Sequence, residues 1–292
     1  MKALVSLRRT FATLAAVVTL AVAVDAHAAE GAALDNFPMD KLTNLPALQD
    51  GARTFVNYCL NCHGASMMRF NRLRDIGLTE EQIGNNLVFG GGKVGDTMEV
   101  AMRPDDAKAW FGALPPDLSV IARARSSGDG SGADWLYTYL RSYYRDNSRP
   151  TGWNNAVFPN VGMPNVLWEL QGSRGATVEE VKADHDEKAD GHGFARTIVT
   201  YDNNGVRSEK TEKIEGGHPH AGSKLTLTPA KGGTLSQAAY DEKVANLVGF
   251  MTYVSDPSAS ARARMGVWVL LFLGVLIFLT WWLNREYWKD VK

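Results

Sequence analysis

Apolar residues recur at helical spacing from Leu48 to Leu60, with Phe55, Val56, Cys59 and Leu60 on one side. The pattern predicts a helix that ends at a cysteine pair. Similar spacing predicts helices over Thr79 to Phe89, Asp117 to Arg125 and Ala133 to Tyr144. A longer helix is expected after Ser236, a good N-cap, with Tyr240, Val244, Leu247, Val248, Met251 and Val254 on one packing face. Between 172 and 235 the period changes. There the chain opens with the acidic run "VEEVKADHDEKAD", and two alternating stretches then flank Asn204-Gly205, a hairpin signal. The expected fold class is therefore mainly α, with a β-hairpin-type insertion at about 172–235.

The ends differ from the middle. Lys2, Arg8 and Arg9, the apolar run Phe11 to Val24, and Ala26-His27-Ala28 make residues 1–28 an expected signal peptide. The apolar run is too short to span a bilayer. Arg8-Arg9 also hints at a twin-arginine signal, but the ordinary export route is the simpler reading. Met265 to Leu283 carries no charge over 19 residues, roughly 28 Å of helix at ~1.5 Å per residue. This predicts one C-terminal transmembrane helix, 265–283, within an anchor at 261–292. Basic residues flank both of its ends, so charge does not orient it; the export signal does. Residues 29–260 are then a periplasmic domain on the bacterial inner (cell) membrane, with the C-terminus cytoplasmic.

Composition narrows the rest. With 31 basic against 32 acidic residues, nothing points to nucleic acid. "FGGGKVGD" lacks the residues of a phosphate loop and reads as a turn. No local motif marks a hydrolytic triad, and no catalytic residue is assigned.

The two cysteines of the chain, Cys59 and Cys62, stand directly before His63 in "NYCLNCHG". A structural zinc site lacks further cysteines, a thioredoxin-like pair lacks its βαβ frame, and a disulfide over so short a loop would constrain little. None of the three uses His63. Covalent haem c attachment uses all of them: the thiols add to the porphyrin vinyl groups and the imidazole ligates iron. Helical positions i, i+3 and i+4 bring the three side chains to one surface.

The second axial position decides the chemistry. Met67 and Met68 follow His63 too closely to reach the opposite face, and packing beside the haem is their expected role. Met163 lies a hundred residues on in "VFPNVGMPNV", where Pro159 and Pro164 stiffen the backbone and Gly162 permits close approach. It is the candidate distal ligand. His185, His192, His218 and His220, all in the insertion, are the alternatives. An open position would instead suit a haem enzyme or gas sensor.

The segments "GARTFVNYCLNCHGASMMRFNRL", "VGDTMEVAMRPDDAKAWFGALPPDLSVIARAR", "VGMPNVL" and "YDEKVANLVGFMTYVSDPSASARARMGVWVLLFL" resemble the cytochrome c1 family in order and character. The resemblance implies a modified class I cytochrome c fold with one covalently attached haem c. It implies Cys59 and Cys62 as attachment points, with His63 and Met163 as the iron ligands. Arg125 would pair with a haem propionate, and Trp135 would stand where a tyrosine is expected near the haem edge. The implied function is electron transfer from a Rieske iron-sulfur protein to a soluble or anchored cytochrome c, beside cytochrome b, in a complex expected to be dimeric. The chain would be a subunit of ubiquinol–cytochrome c reductase in the respiratory chain, an electron carrier and not a catalyst alone. A separate anchored shuttle is the neighbouring alternative. The acids between Glu179 and Asp190 form either a docking surface for a basic acceptor or a solvated face.

Overall fold

The computed structural model describes residues 33–100, 102–184, 193–214 and 222–290. The expected signal peptide, the second half of the acidic run and His185, His192, His218 and His220 lie outside the described residues.

Asn44 starts the first long helix, Leu45–Thr54, by accepting the Ala47 N–H at 3.1 Å, and Pro46 sits in the first turn, where a missing donor costs nothing. The helix does not stop at Thr54. It widens into a π-type turn, Phe55–Cys59, closed by Leu60 N–H donating to the Phe55 carbonyl at 3.0 Å. Cys59 thus leaves the helix at the turn that starts the Cys-x-x-Cys-His segment.

Against this helix packs the last helix of the domain, Gln237–Ser255, capped by Ser236 as the sequence predicts. Its six expected packing residues are all buried. The two backbones approach closely at Gly51, where a Cβ would lie 2.1 Å from the Asn246 carbonyl oxygen. Asp50 ties the crossing, accepting from Lys243 Nζ at 2.6 Å and Asn246 Nδ2 at 2.9 Å. A third helix, Gly132–Arg141, begins in a capping box between Ser131 and Asp134, and its Leu140 carbonyl accepts from the buried Tyr240 hydroxyl at 2.8 Å. These three helices hold the core.

Shorter elements depart from expectation. The predicted helix over Asp117 to Arg125 survives only as Ile121–Ala124, because Asp117, Leu118 and Ser119 bond instead to Ser66, Gly64 and Met67. The helix expected to reach Tyr144 ends at Arg141, and Tyr143–Arg145 turns into a strand paired with Trp153–Asn155. A helix at Pro104–Phe111 was not anticipated; only Ala107 on it is buried, so it carries little periodic signal. Thr79 caps Glu80–Asn86 as the capping residue of the helix expected there.

The insertion is more than a hairpin. Ala176–Asp184, Gly193–Tyr201, Arg207–Ile214 and Gly222–Leu227 form a four-stranded antiparallel sheet in which Ala176–Asp184 pairs with both Gly193–Tyr201 and Gly222–Leu227. The hairpin at Asn204-Gly205 is present, but its turn is longer than a two-residue one. Gly205, at φ 84°, donates to the Asp202 carbonyl, while Asp202 N–H donates to Val206.

The final helix, Ala259–Tyr287, includes one span long and apolar enough to cross a membrane, Ala261–Tyr287. Its apolar side chains face outward, Trp268 at 71% and Ile277 at 66% exposure. A core helix would hide them.

Candidate functional site

The Cys-x-x-Cys-His segment is held in shape from both sides. His63 N–H donates to the Cys59 carbonyl at 2.9 Å, the i to i−4 bond that keeps Cys59, Cys62 and His63 on one surface. Opposite runs the stretch Pro115 to Ser119. Leu118 N–H donates to the Gly64 carbonyl at 2.7 Å, Ser66 N–H to Asp117 Oδ2 at 2.9 Å, and Met67 N–H to Ser119 Oγ at 3.0 Å.

This clamp sets the histidine. His63 Nδ1 lies 2.8 Å from the Pro116 carbonyl oxygen, which can only accept, so Nδ1 carries the proton and Nε2 keeps its lone pair. Burial holds the imidazole below its usual value, against smaller opposing pulls from the Pro116 carbonyl and Asp117. A neutral ring is the form that binds iron. The two cysteines are unbridged, Cys59 buried and Cys62 half-buried. Burial pushes the Cys59 thiol up to about 12, with Cys62 adding to the rise.

All five residues singled out from the sequence, Cys59, Cys62, His63, Arg125 and Met163, line one cavity of about 370 Å³. Its volume lies in the range of sites that enclose a small organic cofactor. Leu118, Ile121, Leu136, Val161, Val166 and Met251 make most of the remaining wall apolar. The donor set suits a haem: two thiols and an imidazole on one stretch, and a thioether supplied by a distant one. Among the described residues no three His, Cys, Asp or Glu side chains gather as a metal site.

Met67 and Met68 both lie outside this cavity. Met68 is buried at 3% exposure, in line with a packing role, whereas Met67 is 79% exposed, against the packing role expected of it. Residues 65–69 form a strand, so neighbouring side chains point to opposite faces.

Arg125 lies with its guanidinium 4.4 Å from the centre of the Trp135 ring, and Trp135 stacks on Tyr139 at 4.7 Å. Phe158 is 5.8 Å from the same guanidinium. Tyr139, Tyr143 and Pro116, which the sequence reading missed, touch Met163 and His63. Trp135 and Tyr139 lie one turn apart on Gly132–Arg141, whereas Tyr143 stands beyond its end on the next strand, so no helical stripe marks the three together.

The chain matches the Cytochrome C1 family over residues 38–201. It is 42% identical over 258 residues, 88% of each chain, to a protein of Nitrosomonas europaea named ammonia monooxygenase gamma subunit. It is 41% identical over 252 residues, 86% of each chain, to the cytochrome c1 of Allochromatium vinosum. To the cytochrome c1 of Rhodospirillum rubrum it is 26% identical over 266 residues, 85% of this chain and 82% of that one.

Proposed function

The chain belongs to the cytochrome c1 family, and from that premise we propose that it takes electrons from a Rieske iron-sulfur protein and passes them to a c-type cytochrome. Proteins of this family bind one covalently attached haem c and transfer electrons in a bc1-type complex of the respiratory chain. The observation that carries the finer reading is the convergence of two thiols, an imidazole and a thioether on one cavity.

In this reading Cys59 and Cys62 are the attachment points, His63 the proximal ligand through Nε2, and Met163 the distal ligand. Bound there, the haem supplies a one-electron Fe(III)/Fe(II) couple, and no substrate bond is made or broken. The chain's own residues do the rest. Pro116 orients the imidazole, the apolar wall excludes water and favours the less charged reduced state, and Arg125 would pair with a propionate. Phe111, Leu114 and Phe158 are exposed at the cavity, where an edge open to partners would lie. We read the three-helix frame as a modified class I cytochrome c arrangement.

The same reading assigns residues 1–28 to export, 29–260 to the periplasm and 265–283 to the inner membrane, beside cytochrome b in a dimeric complex. The outward apolar surface of Ala261–Tyr287 supports the anchor. The name of the Nitrosomonas relative suggests a second reading, the same electron carrier serving an ammonia-oxidising enzyme. The two relatives are almost equally similar, so partner identity needs its own measurement.

The test is the absorption spectrum of the purified protein with and without carbon monoxide. The reduced protein is expected to be low-spin and to refuse the gas, and Met163→Ala to admit it. Ready binding by the unaltered protein would favour an open-site enzyme or sensor. Co-purification with cytochrome b and an iron-sulfur protein separates the complex subunit from an independent shuttle.

A further inference from the structure

Met163 is touched by two buried phenols that also touch each other. The hydroxyl oxygens of Tyr139 and Tyr143 are 2.6 Å apart. Tyr139 Oη lies 3.5 Å from Met163 Sδ, and Tyr143 Oη lies 3.3 Å from the Met163 carbonyl oxygen. The rings are 8% and 1% exposed and meet edge to face at 5.3 Å.

Three contacts here each need a proton, and two protons are present. Each hydroxyl owns one, while a thioether and a carbonyl can only accept. An ordinary phenol titrates at ~10, so both hydroxyls hold their protons in the neutral range. Two oxygens at 2.6 Å need a proton between them. Only two arrangements satisfy that. When Tyr139 donates to Tyr143, Tyr143 donates to the carbonyl and the sulfur has no donor. When Tyr143 donates to Tyr139, Tyr139 donates to the sulfur and the carbonyl goes without.

We propose that Tyr139 and Tyr143 form a two-position hydrogen-bond relay that sets the donor strength of the Met163 thioether, and through it the reduction potential of the haem. The proposal rests on the reading of Met163 as the distal ligand. A hydrogen bond to the sulfur withdraws electron density from it and points the positive end of an O–H dipole towards the iron, which favours Fe(II). The sulfur-bonded arrangement raises the potential; the carbonyl-bonded one lowers it. Both tyrosines are positioning residues.

Potentiometric titration of the full chain with Tyr139→Phe and Tyr143→Phe tests this. Tyr139→Phe removes the donor to the sulfur, so its potential shifts down. Tyr143→Phe removes the competing acceptor and leaves the Tyr139 proton on the sulfur, so its potential shifts up. Lost packing would move both in one direction. Carbon monoxide is the control: a variant that still refuses it keeps Met163 on the iron. Potentials that move together, or do not move, in variants that refuse the gas overturn the relay. Should Tyr143→Phe lose its haem, an unshifted Tyr139→Phe alone overturns it. If the unaltered protein binds the gas, the ligand reading fails and the relay falls with it.

Discussion

The Pro116 carbonyl oxygen sits 2.8 Å from His63 Nδ1, so a backbone atom 53 residues away in sequence fixes the tautomer and direction of the imidazole. The aim of the ring therefore depends on whatever holds the Pro115 to Ser119 stretch against the Cys-x-x-Cys-His segment. Asp117 does much of this. Its two oxygens accept from Ser66 N–H at 2.9 Å and Ser119 N–H at 2.8 Å.

Asp117→Ala removes the acceptor of both N–H groups and loosens the clamp. The carboxylate is exposed, so the expected cost falls below that of a buried charged hydrogen bond, at about 1 kcal/mol. In a chain of this size that lowers Tm by roughly 2–4 °C. Thermal unfolding followed by circular dichroism measures it. Asp117→Asn, which keeps an acceptor oxygen, should lose less; equal losses would mean the carboxylate does not hold the loop.

The helix crossing gives a prediction whose sign is informative. An alanine at an exposed helical glycine stabilises by about 1 kcal/mol through propensity. Gly51→Ala instead places a methyl 2.1 Å from the Asn246 carbonyl oxygen and 2.8 Å from Phe250 Cβ. The helices must separate, at a cost of about 1–3 kcal/mol. Denaturant unfolding is expected to show a lower midpoint, and a raised one would contradict the close approach of Leu45–Thr54 to Gln237–Ser255.

Asp50 makes the same crossing sensitive to acid. Burial alone would raise its carboxyl, but hydrogen bonds from Lys243 and Asn246, aided by the charges of Lys243 and Arg53, bring it below the ordinary 3.8. A carboxyl lowered on folding contributes stability that is complete above its unfolded value and lost as pH falls through the folded one. Stability measured from neutral pH into acid should therefore decline below about 3.8, and Asp50→Asn should flatten that limb while lowering the neutral plateau.

What could be read from the sequence was local. Cys59, Cys62 and His63 are joined by one helical turn, and the face of Gln237–Ser255 repeats with a single period, so spacing alone revealed both. The loop around Met163, which the structure sets on the cavity, was legible because proline and glycine restrict a loop in a recognisable way. Contacts decided elsewhere in the chain were not. The π-type turn at Phe55–Cys59 leaves the apolar spacing nearly helical, so the pattern does not distinguish it. Pro116 meets His63 through a carbonyl that every residue possesses, which leaves no mark of its own in the sequence. The sheet in the insertion has side chains only half-buried on its inner strands, which blurs the alternation that would have separated four strands from two. Tyr139 and Tyr143 read as ordinary core aromatics until Met163 is placed beside them.

The anchor yields the last prediction. Among the described residues every buried apolar side chain falls between Phe37 and Val254, and the break at Asp256 and Pro257 separates this core from Ala259–Tyr287. That helix contributes nothing to the core, yet it presents Val267, Trp268, Leu270, Phe272 and Ile277 to the outside. In water such a surface drives aggregation; in a bilayer it is the lipid-facing surface. Deleting residues 259–292 should release a haem domain that stays soluble without detergent, keeps the spectrum of the full chain, and unfolds within a few degrees of it. Far-ultraviolet circular dichroism should lose only the helical signal of the deleted segment. A truncated chain that precipitates or loses its haem would show that the final helix supports the domain, and the assignment of 265–283 as a free-standing span would be withdrawn.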